Sequence, residues 1–139
     1  MNASNIIALD IGERRIGVAS AHIVARIASP LTTLSHTEHI MHDLLDIITK
    51  HEAAAIVIGL PRGLDGQHTL QTAYVEHFAH ELEQKVTIPL YWQDEAVTSR
   101  QAEAELKKRG KAYAKEDIDA LAATYILEDF LQSNPELHV

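Results

Sequence analysis

A carboxylate set into an apolar run constrains this sequence more than any other feature. Ile6-Ile7-Ala8-Leu9 leads straight into Asp10, and Ile11 and Gly12 follow. Arg14 and Arg15 then open a second apolar segment, Ile16 to Ala19. The pattern predicts a buried strand, a tight turn and a return strand. A carboxylate inside such a strand carries a heavy desolvation penalty unless a charge or hydrogen bond meets it. Gly12, two positions on, lets backbone or ligand come close. Asp10 therefore reads either as an acid that holds a metal ion or faces a phosphate, or as a strand-end acid entering a turn.

The rest of the chain sets the frame for that acid. At 139 residues it is long enough for one domain with a proper core, spanning 1–139. There is no cysteine, which removes disulfides and thiolate chemistry. No apolar run approaches the roughly 18 residues of a membrane span. Met1 to Asn5 has neither a basic stretch nor a signal-type apolar core, so a cytoplasmic location and no membrane partner are expected.

The net charge of −8 argues against broad nonspecific nucleic-acid binding. It is unevenly spread, however. Between Val97 and Lys115 lie Arg100, Lys107, Lys108, Arg109, Lys111 and Lys115 against only Glu103 and Glu105, a local excess of +4 that leaves −12 elsewhere. Such a patch can track a phosphate backbone, or simply complement a helix C-terminus.

Along the chain, Ala25 to Leu31 reads as a third short strand after the first two, making a meander. Ser35-His36-Thr37-Glu38 reads as a capping box starting a helix to about His51. Ala53 to Leu60 is apolar throughout, as in a strand buried on both faces. It runs into a loop, Gly59 to Gly66. A helix from about His68 to Gln84, a strand from Val86 to Trp92, a helix from Thr98 to Gly110 and a last helix from Lys115 to Leu131 follow. The order β-β-β-α-β-α-β-α-α predicts an α/β fold, a five-stranded mixed sheet in the order 3-2-1-4-5 with strand 2 antiparallel and helices on both faces.

Sites in such sheets gather at the carboxyl ends of strands. Asp10 lies at the end of strand 1, and Asp94 and Glu95 follow strand 5. In the last helix Asp119, Ala122, Ala123, Ile126 and Phe130 share one face, so Asp119 continues the stripe that faces the sheet. Glu116 is its neighbour one turn earlier. Carboxylates converging this way repel unless a cation joins them, and oxygen donors select Mg²⁺ or Mn²⁺. Two such ions activate water in phosphodiester hydrolysis.

These residues carry a resemblance. Leu9-Asp10-Ile11-Gly12, Arg15-Ile16-Gly17-Val18-Ala19, Ser29-Pro30-Leu31, Ile56 to Pro61 with Asp65-Gly66, Asp94-Glu95 and Asp119 to Ala123 occur in order over nearly the whole chain. Together they resemble the YqgF/RuvX family of the ribonuclease H-like superfamily. The resemblance implies a ribonuclease H-like fold, with Asp10, Glu95 and Asp119 as an acidic catalytic triad. On this reading Mg²⁺ or Mn²⁺ is held by those three acids with Glu116 or Asp94 as auxiliary ligand. It also implies nuclease activity on structured RNA (pre-16S rRNA in 5′-end processing), with branched DNA of the Holliday-junction kind as the alternative substrate. A homodimer is compatible with it.

One departure stands out. The family's Asp-Glu pair is usually followed by Arg, where this chain has Ala96. Arg14, Arg62, Gly63, Gly66, Arg100, Lys107, Lys108, Arg109 and Lys111 are the expected nucleic-acid contacts. Two other classes remain open: a noncatalytic nucleic-acid-binding module, and an actin-like ATPase, which needs two such domains. The nine histidines fall largely on polar helix positions and are read as surface residues, not zinc ligands.

Overall fold

The computed structural model describes residues 4–61, 65–95, 104–105, 107–108 and 115–137. Its elements are β1 (Asn5–Ile11), β2 (Arg15–His22), β3 (Ser29–Ser35), α1 (Ile40–Lys50), β4 (Ala53–Pro61), α2 (Leu70–Glu83), β5 (Leu90–Glu95) and α3 (Lys115–Ser133). The strands form one sheet in the order β3-β2-β1-β4-β5. β2 is antiparallel to both β1 and β3, while β1, β4 and β5 run parallel, so β2 alone is reversed. This is the expected α/β topology, with strand 2 antiparallel.

Both faces of the sheet are covered, which is why β4 is apolar throughout and β1 is apolar from Ile6 to Leu9. On one face Ile7, Leu9, Val18, Ile56 and Ile58 pack against Leu44 and Ile48 of α1 and Val75, Phe78 and Leu82 of α2. On the other, Ile6, Ala8, Ala19, Ala21 and Val57 lie under Ala123, Ile126, Leu127 and Phe130 of α3. The second face is built from small residues, so a single helix sits close to the strands. At Gly17 a β-carbon would run into the backbone carbonyl of Asp119, and at Gly59 one would meet the Ile126 side chain. Thr33 on β3 adds a hydroxyl donated to the Glu116 carbonyl oxygen at 2.7 Å.

Three local expectations shift. Ser35 does not open a capping box: it pairs with Arg15 as the last residue of β3, and His36 N–H donates to the Arg14 carbonyl. α1 starts at Ile40 behind His39, which makes no side-chain cap. The third strand begins at Ser29 rather than Ala25. Arg26 sits at a left-handed φ of 56° in the preceding connection, with its guanidinium donating to the carbonyls of Leu131 in the last turn of α3 and of Asn134 and Leu137 just after it. Finally, β5 extends through Glu95, paired to Pro61, rather than ending at Trp92. α2 begins as expected, within two residues, on a reciprocal Thr69–Thr72 cap. Of the expected helix from Thr98 to Gly110, residues 104, 105, 107 and 108 are helical, and the remainder lies outside the described residues.

Candidate active site

Strand alternation decides which acids meet. In β1, Ile6 and Ala8 face α3, so Asp10 does too. Across the hairpin Asp10 is paired directly with Gly17. On the other side the paired register runs as far as Leu9↔Ile58, one residue before Asp10 and Gly59. Asp10 therefore has no side chain opposite it on β2. Gly17 also admits the backbone of Asp119, which brings α3 down over the same end of the sheet.

Glu95 reaches this face from β5. Tyr91 packs under α3, with its ring centroid 5.4 Å from that of Phe130, and Glu95 is four residues further on the same side. Its neighbour Asp94 alternates to the α1/α2 side, the side on which Leu90 packs.

The electrostatics record the crowding. Burial, and then the charge of Asp119, push the Asp10 carboxyl from an ordinary 3.8 up to about 7. Glu95 rises from 4.5 to about 8 through burial first, then a side-chain hydrogen bond to Asp129 and the charges of Asp129, Asp10 and Asp94. Its Oε1 is buried and, among the described residues, has no hydrogen-bond partner. Asp119 is met by a cation from the protein itself: Arg15 Nε lies 2.5 Å from Asp119 Oδ2.

The structure thus brings Asp10, Glu95 and Asp119 to one end of one face, and leaves Asp94 on the other. Glu116 is exposed one turn before Asp119, and its charge acts on Arg15. Arg14 is exposed in the β1–β2 turn. Gly66 holds a left-handed φ of 80° with open space around it. Lys107 and Lys108 are exposed on a helix. Arg62, Gly63, Ala96, Arg100, Arg109 and Lys111 lie outside the described residues.

Two residues at the site are not among those expected from the sequence. Arg15 belongs to a motif that assigns it no role, although counting alternate positions back from Gly17 puts it on the α3 face. Asp129 lies ten residues beyond Asp119, outside the stripe used to orient the helix, and no local pattern marks it.

The donor set suits a hard divalent cation, since every candidate atom is a carboxylate oxygen and one of them is buried without a partner. Among the described residues no three acid or histidine side chains are close enough to share an ion as they stand. Asp119 is engaged by Arg15 and Glu95 by Asp129, so joining the acids requires those two contacts to exchange.

Comparison with known proteins shows the family and the fold. A family model described as "RuvX: Holliday junction resolvase" matches residues 4–133. A Chloroflexus aggregans protein named "Putative pre-16S rRNA nuclease" is 39% identical over 137 residues, covering 96% of each chain. A Rickettsia typhi protein of the same name is 40% identical over 132 residues, covering 92% of this chain and 85% of its own. Among solved structures, Thermus thermophilus RuvC in complex with a Holliday junction substrate superposes with a TM-score of 0.56 at 15% identity, over 93% of this chain and 95% of that one. The fowlpox virus Holliday junction resolvase gives 0.57 at 10% identity, over 93% and 99%. At those identities the structures speak for the fold, which is that of RuvC-type resolvases. The sequence relationship covers residues 4–133, and this chain belongs to the RuvX family.

Proposed function

We infer that the protein is a divalent-metal-dependent nuclease that hydrolyses phosphodiester bonds, with Asp10, Glu95 and Asp119 as its catalytic acids. One observation carries the reading. Asp10 and Glu95 sit on the same face near the carboxyl ends of parallel strands, and each is pushed well above its ordinary pKa by burial and a neighbouring acid. Keeping two such groups is costly for a fold, and a cation is the partner that offsets the cost. Glu116, one turn from Asp119 on the same helix, is the auxiliary ligand this reading favours. Asp94 projects to the opposite face and fits that role poorly.

When bound, Mg²⁺ or Mn²⁺ would lower the pKa of an attacking water and neutralise charge at the scissile phosphate. The chain's own contribution is position. Asp10 is fixed by the central strand, Glu95 by the Tyr91–Phe130 contact that ties β5 to α3, and Asp119 by the close approach at Gly17. The exposed Arg14, with Lys107, Lys108 and the basic residues around them in sequence, would lie along the nucleic-acid backbone.

The substrate favoured is a pre-16S rRNA precursor, cleaved in the cytoplasm. The relatives carrying that name are far closer in sequence than the resolvases that share the fold. Incubating purified protein with Mn²⁺ against a structured rRNA precursor and a four-way DNA junction in parallel tests this. Preferential cutting of the RNA supports it. Preferential cutting of the junction moves the assignment to resolvase, and no cutting of either moves it to a binding module.

A further inference from the structure

The contact between Arg15 and Asp119 has consequences for how the site loads. Arg15 starts β2, and its main chain is fixed from both sides. Its carbonyl accepts the Gly12 N–H at 2.9 Å, and it pairs with Ser35 across the β2–β3 ladder. A β-carbon on Gly12 would press on that same carbonyl at 2.8 Å. Only the side chain is free to move. It is about a quarter exposed (26%, against 20% for Asp119), so solvent, ions and phosphate can all reach the pair. A guanidinium and a cation cannot both sit against the same carboxylate oxygen without repelling each other.

We propose that Arg15 is a resident counter-ion that competes with the metal for Asp119, and that the phosphate backbone of the nucleic acid draws it away. The guanidinium fork matches a phosphate as well as it matches a carboxylate. Substrate that engages Arg15 frees Asp119 for the cation, which leaves the Glu95–Asp129 contact as the one still to exchange. Metal and nucleic acid therefore raise each other's affinity, and by linkage the factor is the same in both directions. The arrangement disfavours a fully loaded site in the absence of substrate. This rests on the metal-dependent reading given above.

The test is calorimetric titration of Mn²⁺ into the wild type, Arg15→Ala and Arg15→Lys. Each is run alone and with a short phosphorothioate RNA that resists cleavage. Without RNA, Arg15→Ala should bind Mn²⁺ on the order of tenfold more tightly than the wild type, because a unit positive charge has left the cation's surroundings. Arg15→Lys, which keeps the charge, should stay near the wild type. The RNA should tighten Mn²⁺ binding several-fold in the wild type and leave Arg15→Ala unchanged. If Arg15→Ala lacks a cooperative melt, Arg15→Gln, with its longer polar side chain, is read in the same way. Equal or weaker Mn²⁺ binding by the folded variant overturns the proposal, as does an undiminished response to RNA. A wild type that binds no Mn²⁺ overturns the metal-dependent reading and this inference with it, whereas Mn²⁺ binding insensitive to Arg15 overturns this inference alone.

Discussion

Gly17 lies beneath the main chain of Asp119 with no room for a β-carbon between them. The same glycine is the cross-strand partner of Asp10. One missing side chain thus sets the approach of α3 and the spacing of two of the three candidate catalytic acids. Gly17→Ala must push the helix off β2. Backbone, not a flexible side chain, is what the methyl meets, so the expected cost is about 3 kcal/mol or more, at the upper end of overpacking effects. Chemical denaturation measures it, and cleavage should fall further than the lost stability explains. A variant of wild-type stability and activity would show that the close approach is unimportant.

Metal-free stability should fall as pH rises. In the unfolded chain Asp10 and Glu95 titrate near 3.8 and 4.5, whereas in the fold they titrate near 7 and 8. Between those limits the folded state holds more protons than the unfolded one, so each unit of rising pH lowers the free energy of unfolding. The penalty is absent below about pH 4 and complete above about pH 8. Denaturation in EDTA at several pH values should show this slope, and Asp10→Asn or Glu95→Gln should flatten it. Because ligating carboxylates must be deprotonated, Mn²⁺ affinity should climb over the same range.

Much of this candidate site is legible in the sequence, and what is not legible has a common cause. Asp10 stood out because a carboxylate interrupts an apolar strand. Asp119 stood out because a helical stripe of Ala122, Ala123, Ile126 and Phe130 pointed it inward. Both signals are local. Asp129 and Arg15 became visible only through pairings between distant parts of the chain. Asp129 depends on how α3 crosses to β5, and Arg15 on a hairpin register that puts it on the helix side. Ser35 misled for the same reason: a locally good capping sequence lost to strand pairing with Arg15. The strand at Gln93 to Glu95 was missed because polar residues at a sheet edge carry no apolar alternation.

Arg26 offers a test of the fold apart from the chemistry. Its guanidinium serves three carbonyls at the end of α3, at 2.8, 3.0 and 3.4 Å. Arg26→Ala leaves those acceptors to water and should cost about 1.5–3 kcal/mol, the range for hydrogen bonds to charged groups. Mn²⁺ affinity should not change. A loss of metal binding equal to that of an acidic-site variant would mean that α3 is held differently from this account.

The basic segment predicts a salt dependence. If Lys107, Lys108 and Arg109 neutralise phosphates on single-stranded substrate, log affinity should fall against log salt with a slope near −0.7 for each phosphate contacted. Replacing all three with Ala should flatten that slope by about two units. An unchanged slope would assign these residues to solubility and helix-end electrostatics.

Metal-dependent cleavage depends on the charge of the acids, and Asp10→Asn removes one of them. The substitution keeps shape and removes one buried charge. The metal-free variant should therefore fold and, at about pH 8, be more stable than the wild type by roughly 1 kcal/mol or more. Cleavage of a structured pre-16S rRNA precursor in Mn²⁺, measured side by side on highly purified wild type and variant, is the decisive comparison. The wild type should cut, EDTA should abolish that cutting, and Asp10→Asn should not cut. Cleavage retained in the variant at the wild-type rate would contradict this.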